Sequence, residues 1–496
     1  MNHTYNLQHF EGRTGYHIFV DRFLRGGDEL SPIKGRIIKQ WEDSIPNWWP
    51  DEDGVFRNEY FYGGDLKGII KSLDDIKSMG FNLIYLSPIS HTHTYHHYDV
   101  ENQLEIDPYV GNWDDFKMLC QEAHSKDILI CVDLVFNHMG IRSEFFQKAL
   151  AGNEQYKKWF EWNHQGNPVY WYGFRDMPQC NKLDKDYQEY ACDVIEKYIS
   201  MGADGIRLDL GEILPKEFMM TIIKKAKTIN PSVIFINERW EFATSSTKPY
   251  LYIDMADTVM NYPRADAIIR WVRYGNSSHF QYTEGRISKY PYHVQNLLWN
   301  LLDSHDTPRA LTMLVGDKMN ENPYNGRVWD IESPWRSNYG FDTYHFREWE
   351  YEHDKINVTY AQEKLKLASL IQYIIRGIPM VFSGTEVGVC GYKDPFNRKP
   401  YPWKQRNEEL KKHYTQLGIL RNSNQDILKN GEMFIEVQSD IMSIHRNLEY
   451  KRLTAILNRT CQSKKISVPA AKIVFSLNES SEKELNPFGA IVYYEK

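Results

Sequence analysis

The 496-residue sequence predicts an α/β protein: a (β/α)8 TIM barrel with an inserted subdomain after strand 3 and a C-terminal all-β sandwich domain. Three observations predict it. Short aliphatic runs that end in polar residues recur eight times. Segments with helical spacing separate most of them, which is the alternation of a parallel sheet. No glycine-rich dinucleotide fingerprint follows the first run, so a closed barrel fits better than an open doubly wound sheet.

In chain order the predicted strands are GYHIFVDRF (15–23), FNLIYLSPI (81–89), ILICVDLVFNH (128–138), DGIRLDL (204–210), SVIFINE (232–238), DTVMNYP (257–263), LLWNLLDSHD (297–306) and IPMVFSGTE (378–386). Helical spacing is clear in DLKGIIKSLDDIKSMG (65–80) and WDDFKMLCQEAHSKD (113–127). Residues 139–184 carry Gly, Pro and clustered aromatics, more than one crossover helix needs, and an inserted subdomain is predicted there. After the eighth strand EELKKHYTQLGILRNSNQ is helical in spacing, and MFIEVQSDIMSIHRN, RLTAILNRT and AIVYYEK then alternate as strands do. The expected plan is a barrel from 1–138 plus 185–410, a subdomain at 139–184 and a β domain at 411–496.

Composition narrows the class. Fractions of 42% hydrophobic and 25% charged residues suit a soluble globular protein. The net charge of −7 is spread along the chain, so no nucleic-acid partner is expected. The first twenty residues hold no apolar core and no segment is long enough to span a bilayer, so a cytoplasmic location without a membrane partner is expected. Six cysteines lack CxxC spacing and are read as reduced thiols. Trp48 and Trp49, and the run Tyr170, Trp171, Tyr172, stand in polar stretches and offer flat faces to sugars. Packing under a loop is the commoner use of any single ring.

Barrel chemistry gathers at the carboxyl ends of the strands. Strand parity puts Arg207 and Asp209 on one face, where the guanidinium would hold Asp209 ionised. Glu238 closes an apolar run, and partial desolvation would raise its pKa towards that of a working acid. Strand seven delivers Asp303, His305 and Asp306, and strand three delivers Asp133, Asn137 and His138. Retaining glycoside cleavage needs two carboxyls about 5 to 5.5 Å apart. Neighbouring strands, about 4.8 Å apart, can supply that. Singly each acid reads as an ion pair or a solvated residue; jointly they make an acidic mouth.

CVDLVFNH (131–138), DGIRLDLGE (204–212), FINERW (235–240) and LLDSHDTPR (301–309) resemble the four signature regions of the α-amylase family of glycoside hydrolases, glycoside hydrolase family 13. FYGGDLKGI (61–69), DMPQCN (176–181), SHDTPR and DPFNRKPYPW (394–403) are similar to the cyclomaltodextrinase, neopullulanase and maltogenic amylase group. Its members act on short maltooligosaccharides, cyclodextrins and sometimes pullulan. The resemblance implies that Asp209 is the nucleophile, Glu238 the acid/base and Asp306 the residue that grips ring hydroxyls. It places Arg207, His138 and His305 around the same sugar, with His96 and Tyr98 beside it and Tyr98 stacking under the ring. Trp240 joins the substrate contacts, and Asp394 and Arg398 reach the next sugars out.

Some positions depart from the group. The first strand starts by residue 15, so the group's N-terminal β domain is expected to be absent and the chain to be a monomer or homodimer. Ile213 stands where a second calcium ligand would join Asn137, so no cofactor and no calcium at the Asn137 site is expected. Gly211, Glu212 and Arg239 also differ from the pattern around the site. The expected function is a retaining α-glucoside hydrolase acting on short α-glucans, with an oligosaccharide as its partner. A glucanotransferase, a sucrose- or trehalose-active relative, and a non-catalytic glycan-binding homologue are the alternatives.

Overall fold

The computed structural model describes residues 7–43, 45, 58–244, 256–315, 358–391, 394–468 and 471–495. Eight strands form one parallel sheet: β1 (Gly15–Ile18), β2 (Leu83–Leu86), β3 (Leu129–Leu134), β4 (Gly205–Leu208), β5 (Ile234–Asn237), β6 (Thr258–Val259), β7 (Trp299–Leu301) and β8 (Ile378–Phe382). Each pairs with its neighbour in sequence, and β8 returns to β1. A bridge from Met260 to Trp299, with Asn261 N donating to Trp299 O at 2.9 Å, joins β6 to β7 and closes the ring.

All the predicted strands are present, each trimmed to its buried centre, because the polar residues that end the runs lie in the loops above the barrel. Aromatic rings fill the interior: His17 stacks between Tyr85 (4.4 Å) and Phe382 (4.8 Å), and Tyr85 meets Trp299 at 5.1 Å. β4 starts on a glycine because a Cβ on Gly205 would strike Cys131 Sγ and Ile234 on the flanking strands. Three of the surrounding helices start on side-chain caps. Asp65 accepts from Gly68 N ahead of Leu66–Ser78, Asn112 caps Trp113–Ser125, and Asp184 caps Lys185–Ser200.

Between β3 and Lys185–Ser200 the chain forms a helix, Glu144–Leu150, a single turn, Glu154–Lys157, and a set of isolated bridges. One of these pairs His138 with Gln179, tying this excursion to the end of β3. Helix Glu408–Ser423 packs on the barrel and runs across position 411, and the first strand of the C-terminal sheet begins at Glu432. That sheet has five antiparallel strands, with a two-stranded ribbon, Lys464–Lys465 and Glu484–Leu485, beside it. Arg446 donates to Ile374 O and Trp271 Nε1 to Gln438 O across the junction with the barrel. No helix among the described residues is long and apolar enough to cross a membrane. Trp48 and Trp49 lie outside the described residues.

Candidate active site

Backbone register sets the site. Leu208 on β4 pairs with Asn237 on β5, so Asp209 and Glu238, the next residue of each chain, leave the barrel side by side. Arg207, one step earlier on β4, is fully buried and collects the acids around it. Its Nη1 donates to both oxygens of Asp133 at 2.8 Å and to Asp209 Oδ1 at 3.1 Å, while Nη2 lies 3.0 Å from Glu238 Oε2. Asp133 Oδ2 also accepts from Tyr85 (2.6 Å) and Tyr98 (2.8 Å). Asp133 is therefore the guanidinium's principal partner, ahead of Glu238.

The consequence falls on Asp209. Burial and the neighbouring Glu238 push its carboxyl well above the usual range, and Arg207 offsets only part of this. This is the reverse of the direction expected from Arg-x-Asp parity, because the sequence does not show how much of Arg207 is spent on Asp133. Glu238 Oε2 accepts from Leu210 N at 2.8 Å and Oε1 from Trp240 Nε1 at 2.9 Å, so both oxygens are held by fixed donors. Trp240 itself is buried, with its ring flat on Tyr262 at 4.1 Å. Its indole N–H is on Glu238 and one face of its ring on Tyr262.

Asp306 enters from the loop after β7 and keeps part of its side chain open to the cleft. Burial would raise its pKa, but His305, Arg398 and Arg207 outweigh that and hold it ionised, well below the usual carboxylate range. His305 Nε2 is 3.0 Å from Asp306 Oδ2 and also meets the Tyr98 hydroxyl. Arg398 spans the rim: Nη2 reaches Asp306 Oδ1 at 3.3 Å, Nη1 reaches Asp394 Oδ2 at 3.1 Å, and Nε donates to His305 O. Asp394 Oδ1 accepts from Tyr95 at 2.7 Å. Asp303 is buried beneath, accepting from Ala310 N and Thr385, and serves the scaffold.

Tyr98 is half-buried and lies nearly parallel to His305, at 5.2 Å and 9°. His96 Nδ1 accepts from Tyr98 N, which leaves Nε2–H to donate to Thr94 at 3.1 Å, so this buried ring is spent within its own loop and orients Tyr98. His138 donates to Tyr98 O at 3.1 Å, stacks on Trp171 at 5.3 Å, and is pushed down to about 3 by burial, hence neutral.

Lys182 is the residue that sequence reasoning missed. Its buried ammonium donates to Asn137 Oδ1 at 3.3 Å and to Glu161 Oε1 at 3.0 Å. Among the described residues no group of three or more His, Cys, Asp or Glu side chains is placed to hold a metal ion. Tyr85 and Tyr262, which buttress the acids from beneath, were also unmarked; their positions on or beside barrel strands were the available signal.

The arrangement offers two adjacent carboxyls on one guanidinium, a third ionised carboxylate across the mouth, and imidazole, tyrosine and arginine donors around them. The model of the alpha amylase catalytic domain matches residues 17–327. A cyclomaltodextrinase from Geobacillus thermopakistaniensis (strain MAS1) is 30% identical over 475 residues, covering 92% of this chain and 70% of that one. Neopullulanase 2 from Thermoactinomyces vulgaris is 28% identical over 462 residues, covering 89% and 68%. Among solved structures, the cyclic α-maltosyl-(1→6)-maltose hydrolase from Arthrobacter globiformis superposes with a TM-score of 0.78 at 23% identity, covering 98% of each chain, and shares the fold.

Proposed function

The chain belongs to the α-amylase family of glycoside hydrolases, and from that premise we propose that it is a retaining α-glucosidic-bond hydrolase acting on maltooligosaccharides, cyclodextrins or related short α-glucans. The α-1,4 bond is the first candidate for cleavage and α-1,6 the second. One observation carries the reading: Asp209 and Glu238 follow a paired strand register and share Arg207, with ionised Asp306 across the cleft.

In this reading Asp209 attacks the anomeric carbon while Glu238 protonates the departing glycosidic oxygen; the C–O bond breaks as the Asp209 ester forms. Glu238 then takes a proton from water, which displaces Asp209 with retention at that carbon. A glycosidic oxygen accepting from Glu238 favours the form with the proton there and the charge on Asp209. Asp306, His305 and Arg398 take ring hydroxyls, and the Asp306 carboxylate, with Asp209, stabilises the positive charge that spreads over the sugar.

We extend the reading to the Asn137 site. The Lys182 ammonium already satisfies Asn137 and Glu161 with a positive charge, and calcium binding there would set a dication against it.

The test is an NMR time course on maltotriose, with α-configured product expected first. A β-configured first product would remove the retaining assignment, and products longer than the substrate from the outset would replace hydrolysis with transfer.

A further inference from the structure

A cavity of about 780 Å³, within the usual range for a small-molecule site, lies at the rim between the chain after β1 and the loop after β8. Its walls are cross-tied. Trp41, from the first loop, donates its indole N–H to Tyr401 O at 2.8 Å in the second, and Trp403 donates in return to Phe23 O. Both indoles are half-buried, so their orientation is set while part of each remains open. Tyr401 N donates to Arg22 O at 2.7 Å beneath them.

The rest of the lining mixes apolar residues, among them Leu24, Ile45, Phe396 and Pro402, with polar ones, and is close to balanced in charge. Gln40, Asp43 and Gln405 supply hydroxyl-binding groups, and Glu42 pairs with Lys404 at 2.6 Å across the two lips. The Arg25 guanidinium is turned to the carbonyls of Tyr62 and Gly63. Fixed aromatic walls with amide and carboxylate groups and little net charge suit a neutral polyhydroxylated ligand better than an anion.

The cavity shares the loop that carries Arg398. Phe396 and Lys399 line it and flank Arg398, whose guanidinium reaches Asp306. Glu238, on the leaving-group side, rises from β5, across the barrel from the β8–β1 edge. A chain lying through the cleft with its departing part towards β5 would carry its other end towards this cavity.

We infer that the cavity between Trp41 and Trp403 binds the non-reducing portion of a longer α-glucan whose scissile bond lies at Glu238. The inference rests on the hydrolase reading above and names the part of the substrate that this rim recognises. It makes the chain prefer substrates long enough to span both regions.

The test compares kcat/KM for maltoheptaose with kcat/KM for maltotriose in wild type, Trp41→Ala and Gln405→Trp. Losing one aromatic wall is expected to lower the maltoheptaose-to-maltotriose ratio about tenfold. Gln405→Trp, at an exposed position, fills the cavity without removing a packing group and should lower the same ratio even if Trp41→Ala folds poorly. Variants that hydrolyse both sugars with the wild-type ratio would overturn the inference and leave the hydrolase reading standing. A folded wild type inert on both sugars would remove that reading, and this inference with it.

Discussion

Arg207 Nη1 holds both oxygens of Asp133 at 2.8 Å and reaches Asp209 at 3.1 Å, so the buried cation is anchored first to the barrel and only then to the acid at its mouth. Asp133 is thereby a positioning residue: it fixes the guanidinium on which Asp209 and Glu238 both rest.

Removing that anchor strands a buried positive charge. Asp133→Ala is expected to cost about 3 to 5 kcal/mol of stability, the range for breaking a buried pair from one side. Asp133→Asn, which keeps acceptors for Tyr85 and Tyr98, should cost less and still lower kcat. Urea unfolding beside steady-state kinetics checks this; an Asp133→Asn variant with wild-type kcat would show that the anchor does not matter to the reaction.

Glu238→Gln keeps one acceptor oxygen, enough for either Trp240 Nε1 or Leu210 N but not both, and cannot serve as the acid. Hydrolysis of maltotriose should fall roughly 10²- to 10⁴-fold, the scale of a lost general acid. An aryl α-glucoside with a good leaving group should form its covalent intermediate with a much smaller loss. Equal losses on both substrates would move the acid role elsewhere.

The raised carboxyl of Asp209 has a thermodynamic signature. The unfolded chain releases this proton near pH 3.9, whereas burial and Glu238 make the folded chain release it later. Wild-type stability therefore falls as pH rises through that interval. Asp209→Asn, which carries no charge, should be more stable than wild type by about 1 to 3 kcal/mol at neutral pH, with the gain vanishing below about pH 3.5. Thermal melts across pH decide it; a variant less stable than wild type throughout would contradict the assignment.

At the Asn137 site, a chelator is expected to leave the wild-type melting temperature unchanged, whereas Lys182→Ala should destabilise by roughly 1 to 2 kcal/mol, discounted because Glu161 is partly solvated. A fall on chelation that calcium restores would instead identify a bound ion.

The eight strands and the alternation of Arg207 with Asp209 were legible in the chain because hydrophobic periodicity and strand parity are local properties. Family resemblance identified Asp209, Glu238 and Asp306 as the residues to examine, and their convergence needed the barrel to close through Met260 and Trp299. Long-range partners were beyond reach. The sequence does not show that Asp133, seventy-four positions from Arg207, is its principal partner. It does not show that the Trp240 indole serves Glu238 and rests one face on Tyr262, or that Lys182 reaches Asn137. Local pattern specifies which way a side chain leaves its strand; the balance of burial against charge depends on groups that folding alone brings within a few ångströms.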